Sequence, residues 1–88
     1  EILVAVTEEG ETLSSIDFAN HLQKFESSKL VFAIGGADGF SKNLKTSAHW
    51  QLSLSSMTFP HEIARLLLIE QIYRAQSILR GSPYHRNQ

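Results

Sequence analysis

Apolar residues alternate along this chain between short continuous runs and stripes at helical spacing. Ile2 to Thr7 (ILVAVT) is a β-branched-rich run that predicts a strand buried on both faces, as parallel strands are. Glu8 to Thr12 predicts a turn around Gly10. Ser14 with Asp17 three residues later predicts a capping box. Phe18, Leu22 and Phe25 then recur at helical spacing, so Ser15 to Phe25 is expected as an amphipathic helix. Leu30 to Ile34 (LVFAI) predicts a second buried strand, broken by Gly35-Gly36-Ala37-Asp38-Gly39. Ser41 is placed to cap a short helix through Ala48, and the polar–apolar alternation of Gln51 to Ser55 predicts a third strand.

Thr58 is placed to cap a long last helix, with Pro60 in its first turn, where a missing N–H costs nothing. Ile63, Leu66, Leu67, Ile69, Ile72, Tyr73, Ile78 and Leu79 spread around much of this helix. That excess predicts a second buried face, such as a dimer contact, besides the face packed on the sheet. Glu70 and Arg74 are spaced i,i+4, which adds a few tenths of a kcal/mol. Gly81, with Pro83 just beyond, ends the helix. The resulting β-α-β-α-β-α order is that of an α/β fold, a parallel sheet flanked by helices. Ligands of such sheets bind at the carboxyl ends of the strands, here the loops after Thr7, Ile34 and Ser55.

Composition narrows the picture. At 88 residues the chain holds a single domain. A domain of that size buries only about 60–65% of its unfolded surface, so its core is thin. Hydrophobic residues are 42%, as in a folded protein, but charged residues are only 19%, and this deficit again predicts a buried interface. A net charge of −1 lacks the basic footprint of a protein that grips nucleic acid by charge alone. Any RNA contact must come from local patches, a partner chain or further segments. The absence of cysteine excludes disulfides, thiolate metal sites and a cysteine nucleophile. No apolar run approaches the roughly 18 residues of a membrane span, and the first residues do not form a signal peptide. The chain begins without Met and enters a strand at once, as a fragment or a processed chain does.

Gly35-Gly36-x-x-Gly39 after a strand lets backbone meet a ligand closely. The spacing is neither GxGxxG nor a phosphate-binding GK[ST], and a tight turn explains it as well. Ser53, Ser55, Ser56 and Thr58 offer hydroxyls to a polar cofactor, or serve as strand-end serines and a helix cap. The four histidines form no metal pair, and no GxSxG elbow is present. His21 is expected on a solvated helix face, His49 at a helix end, and His61 in a structural role beside the ligand loops. Tyr84, His85 and Arg86 combine a stacking ring, an imidazole and a phosphate-binding guanidinium. Composition alone reads this segment equally as a frayed terminus and as a functional tail.

Four segments carry a more specific signal. They are Ile34 to Gly39 (IGGADG), Leu52 to His61 (LSLSSMTFPH), Glu70 to Ala75 (EQIYRA) and Pro83 to Arg86 (PYHR). In order and spacing they match the patterns IGG-x-x-G, LSLS-x-x-T-x-PH, E-x-x-YRA and PYH. The chain thereby resembles, over nearly all its length, the RlmH family of ribosomal-RNA methyltransferases in the SPOUT superfamily.

The resemblance implies a homodimeric α/β-knotted protein whose C-terminal chain threads a loop in a deep trefoil knot. It implies S-adenosylmethionine (SAM) as cofactor, bound bent inside the knot loops. By position, Val6 lines the pocket in place of the family's usual Leu, and Gly35 and Gly36 let the backbone meet the cofactor. Ser55, Ser56, Met57, Thr58, Phe59 and Pro60 form the second wall. The implied methyl acceptor is N3 of a pseudouridine in large-subunit ribosomal RNA, recognised on the assembled ribosome. Tyr84, His85 and Arg86 are implicated in activity near the dimer interface. His85 is the candidate base, and Arg74 or Arg86 a clamp for a phosphate or for developing negative charge.

No metal and no membrane are implied, and a ribosomal substrate places such a protein in the cytoplasm, or in an organelle of a eukaryote. The family carries a further N-terminal stretch, with the first strand and helix of the sheet, that this chain lacks. Its loop Glu8-Glu9-Gly10-Glu11 is also more acidic than the family's, which usually has lysine after this glycine. Two other readings compete: a non-catalytic SAM-binding or dimerisation module, and a nucleotide-binding half-domain resting on Gly35-Gly36 alone. Neither accounts for the PH and PYH segments.

Overall fold

β1 (Ile2–Thr12) runs through the middle of the sheet and is the strand on which everything else is assembled. The structure, a computed structural model, describes residues 1–35 and 42–85, and for Lys42 and Asn43 the backbone alone. After β1 come α1 (Ser15–Gln23), β2 (Leu30–Ile34), α2 (Lys42–Ser47), β3 (Trp50–Ser53) and α3 (His61–Arg80). The three strands are parallel in the order β2-β1-β3. This is the predicted α/β alternation, element for element.

Val4, Ala5 and Val6 are buried, as expected for a parallel strand covered on both faces. Val4 and Val6 share one face, and there they meet Phe18 and Ala19 of α1, Leu68 and Ala75 of α3, and Leu52 and Trp50 of β3. Full burial of a side chain such as Phe18 stabilises by about 1.5–3 kcal/mol. α1 and α3 also pack on each other, and Ser15 donates a hydrogen bond to Gln71 Oε1 across them at 2.6 Å. β2 departs from the expectation of a buried strand. It lies at an edge of the sheet, none of its five apolar residues is fully buried, and Val31 is 37% exposed.

The predicted turn at Glu8 to Thr12 is an interruption inside β1. Pairing with β3 runs from Val4↔Trp50 to Val6↔Leu52, breaks, and resumes at Glu11↔Leu52 and Thr12↔Ser53. Gly10 makes the return possible. A Cβ on it would lie 2.7 Å from the Gln51 carbonyl carbon and 2.8 Å from the Leu52 carbonyl carbon, backbone atoms that cannot step aside.

Element ends follow local hydrogen bonding. Ser14 caps α1 as predicted, accepting from Asp17 N at 3.1 Å, but the helix stops at Gln23, short of Phe25. β3 is shifted towards the N-terminus of its expected span because Trp50 is buried into the core, while the serines turn the chain away. Ser53 Oγ donates to Ser55 O at 2.8 Å, and Met57 N donates to Ser55 Oγ at 3.0 Å. Thr58 does not cap α3. Its hydroxyl is spent on Glu8, and Pro60 takes the cap position without a side-chain bond. Gly81 ends α3 in the left-handed conformation at φ 73°, with Ser82 N donating to Ser77 O at 3.0 Å. The predicted cap Ser41 lies outside the described residues.

Candidate functional site

The three strand ends converge on a cavity of about 100 Å³. β1 contributes Val6, Thr7 and Glu8; Ile34 and Gly35 come from the end of β2. The opposite wall is the segment after β3, with Leu54, Ser55, Met57, Thr58 and Phe59, and Ala64 of α3 closes the base. Local bonding holds this wall. The Ser53 and Ser55 bonds fold the segment back, and the Thr58 hydroxyl donates to Glu8 Oε2, tying the wall to β1. His61 Nδ1 lies 3.4 Å from Gly35 O, so the first turn of α3 sits over the end of β2. Next to Glu8, Glu9 is paired with Lys45 of α2, whose hydrogen bond and charge hold the Glu9 carboxyl below its usual range.

A second hollow, of about 300 Å³, opens between α1, β3 and α3. It is the wider of the two, but its polar lining is already spent. Ser14 caps α1, Ser15 and Gln71 are bonded to each other, and Ser53 is bonded to Ser55 O. Its remaining walls, Leu13, Phe18, Leu52, Leu54 and Leu67, are apolar. The smaller cavity at the strand ends is the site that parallel-sheet topology predicts.

A polar cluster stands elsewhere on α3. Arg74 grips Glu70 one turn earlier, with Nη2 donating to Oε2 at 2.9 Å and Nε to the same carboxylate at 3.2 and 3.3 Å. The segment after Gly81 folds back so that Tyr84 Oη donates to Glu70 Oε2 at 2.9 Å. Tyr84 also packs edge-on to Tyr73, ring centroids 4.9 Å apart, and its face lies 4.9 Å from the Arg74 guanidinium. Arg74 Nη1 stands 3.0 Å from His85 Nδ1. A guanidinium only donates, so Nδ1 accepts and the ring proton resides on Nε2. The Arg74 hydrogen bond holds the Glu70 carboxyl below its usual range against partial burial, with the Tyr84 hydroxyl helping. The same carboxylate raises the Tyr84 phenol and the Arg74 guanidinium above theirs.

These two sites are separate within one chain. Arg74 follows Ala64 by ten residues, about 15 Å along the helix axis.

A family model described as Predicted SPOUT methyltransferase matches residues 1–85. The chain belongs to the SPOUT methyltransferase family. Ribosomal RNA large subunit methyltransferase H of Prochlorococcus marinus (strain MIT 9303) is 63% identical over 86 residues, which are 98% of this chain and 57% of that protein. The protein of the same name in Synechococcus sp. (strain CC9902) is 62% identical over 86 residues, 98% of this chain and 60% of that one. A third, from Synechococcus sp. (strain CC9311), is 64% identical over 83 residues, 94% and 58% of the two chains. This SPOUT chain thus spans about 60% of the length of these curated relatives. The resemblance drawn from its four motifs holds.

Of the residues expected to hold the cofactor in this SPOUT chain, Val6, Gly35, Ser55, Met57, Thr58 and Phe59 line the cavity together. Ser56 and Pro60 are exposed outside its lining, and Gly36 lies outside the described residues. Tyr84, His85 and Arg74 are brought together in the second cluster, and Arg86 lies outside the described residues. The expected site residues did not include Glu8, Glu70 or Tyr73, although the last two stand in the E-x-x-YRA motif. The i,i+4 spacing marked Glu70 as a helix-surface partner, and Glu8 stood out only as part of the acidic loop after Thr7. His21, expected on a solvated helix face, is half-buried; it stacks on Trp50, rings 4.2 Å apart at 11°. His49 lies just past α2 as expected, and its Nδ1 accepts from Leu3 N at 3.0 Å. Among the described residues, no group of three or more metal-ligand side chains assembles, and no helix is long and apolar enough to cross a membrane.

Proposed function

We propose that this chain is the cofactor-binding and dimer-forming portion of a SAM-dependent methyltransferase that methylates N3 of a pseudouridine in large-subunit ribosomal RNA. The observation that carries the reading is the convergence of Val6, Gly35, Ser55, Met57, Thr58 and Phe59 on one cavity at the strand ends of a SPOUT chain. The residues fit a nucleoside sulfonium. Val6, Ile34, Leu54 and Phe59 are apolar surfaces for an adenine, while Ser55, Thr58 and Glu8 bring hydroxyls and a carboxylate to its polar parts. When bound, the sulfonium supplies the methyl group.

Displacement at a methyl carbon is in line, so much of the chain's work is positioning. The apolar walls hold the nucleoside and exclude water from the reacting end. The acceptor nitrogen must lose a proton, and His85 is the residue proposed to receive it. With Nδ1 accepting from Arg74, His85 presents Nε2–H, and it takes up a proton once Arg74 turns to an RNA phosphate or to the developing negative charge on the base. Arg86 is proposed to share that clamp, and Tyr84 to place the tail through Glu70.

The separation of pocket and tail within one chain is bridged, in this proposal, by a second copy. On α3, Ile63 is 45% exposed, Leu66 63%, Ile69 54% and Tyr73 52%, an apolar stripe at helical spacing. Two copies joined there set the tail of one beside the pocket of the other. The proposed dimer is a SPOUT knot, its C-terminal chain threaded through a loop, and it acts in the cytoplasm, where its ribosomal substrate is. The deciding experiment incubates ribosomes lacking the modification with the full-length protein and methyl-labelled SAM. Label appearing at one pseudouridine of large-subunit RNA supports the reading. Tight SAM binding without transfer assigns instead a non-catalytic module.

A further inference from the structure

Among the described residues lining the cavity, Glu8 alone carries a charge. The interruption in β1 puts it there. Between Val6 and Glu11 the strand leaves β3, and successive side chains diverge, so Glu8 turns to the cavity while Glu9 turns to Lys45. Glu9 is thereby neutralised by a cation. Glu8 has no ion pair among the described residues, and the one hydrogen bond recorded for it comes from the Thr58 hydroxyl to Oε2. A carboxylate offers about four acceptor positions, so most of its capacity, including Oε1, remains open beside the cavity. The other walls are apolar or neutral.

Resting on the reading of this cavity as the cofactor site, we propose that Glu8 recognises a cationic centre of the adenosyl donor, its sulfonium or the ammonium of its amino-acid arm. The pocket then prefers a charged adenosyl ligand to a neutral one with the same nucleoside. The acidic loop is in this view a specificity element for the cofactor. Its exposure makes the preference modest and sensitive to salt.

The test is calorimetric titration of the full-length protein and of its Glu8→Gln variant with three ligands. SAM carries both cationic centres, S-adenosylhomocysteine only the ammonium, and 5′-methylthioadenosine neither. The expected result is a loss of SAM affinity of about threefold to tenfold in Glu8→Gln, with methylthioadenosine changed less than about twofold. If S-adenosylhomocysteine weakens with SAM, Glu8 reads the ammonium; if it behaves like methylthioadenosine, Glu8 reads the sulfonium. Added salt narrows the SAM preference of the unsubstituted protein and leaves that of Glu8→Gln unmoved, a check that does not depend on the variant's fold alone. An unchanged ratio of SAM to methylthioadenosine affinity in Glu8→Gln overturns the role of Glu8 and leaves the cofactor site standing. Binding of none of the three ligands by the unsubstituted protein overturns the cofactor site itself.

Discussion

The cavity at the strand ends and the cluster on α3 are built in opposite ways. The cavity draws its walls from β1, β2 and the segment after β3, so residues 6, 35 and 58 meet only because the sheet is assembled. Its shape depends on backbone seating, with Gly10 pressed on β3. The cluster spans only residues 70 to 85 and is held by side-chain bonds between a helix and the segment folded back on it. Backbone packing thus shapes the site proposed to hold the cofactor, and a charge network shapes the site proposed to move a proton. Substitutions should separate the two.

His85→Ala is expected to have the largest effect. It should lower methyl transfer about 100-fold or more while SAM affinity stays within about twofold, because the side chain stands in the α3 cluster beside Arg74 and does not line its own chain's cavity. Single-turnover rates beside titration with SAM check this, and a parallel loss of affinity would merge the two sites into one. Gly10→Val comes next. Its side chain meets fixed backbone of Gln51 and Leu52, which should cost about 1–3 kcal/mol in denaturant unfolding and spoil SAM binding. The Arg74–Glu70 bonds should persist in such a variant, visible as an unshifted Tyr84 titration.

Glu70→Gln should show the smallest effect, and a pH-dependent one. The Glu70 carboxyl is held below its unfolded value, so its contribution is complete above the ordinary carboxylate range and is lost as pH falls through the lower, folded value. The variant should therefore be less stable than the unsubstituted protein at neutral pH, converge with it below the folded value, and flatten part of the acid limb of the stability profile. Tyr84 supplies the opposite sign. Its phenol is raised by Glu70, so the bond is intact below the ordinary phenol range and lost as pH rises through the folded value. Phenolate absorbance of Glu70→Gln should appear at lower pH than in the unsubstituted protein.

Much of this fold was legible because its signals are local. Six elements in β-α-β-α-β-α order follow from apolar periodicity, the Ser14 cap from Ser-x-x-Asp, and the end of α3 from Gly81. The errors have tertiary causes. Thr58 looks like a helix cap until Glu8, fifty residues away in sequence, takes its hydroxyl. His21 looks fully solvated until Trp50 stacks on one face of its ring and leaves it half-buried. β2 looks buried because all five residues are apolar, yet its place in the sheet leaves it at an edge.

Residue order along the chain was enough for the alternating α/β order, for the family through four spaced motifs, and for six of the eleven described residues that line the cavity. Periodicity, caps and motif spacing are properties of neighbouring residues, so they survive without coordinates. Packing was needed to settle that β1 breaks and rejoins β3 around Gly10, that Glu8 faces the cavity while Glu9 faces Lys45, and that Glu70, besides its i,i+4 partner Arg74, takes the Tyr84 hydroxyl. A carboxylate's partners depend on which side chains packing brings within about 3 Å, and no pattern along the chain records that distance.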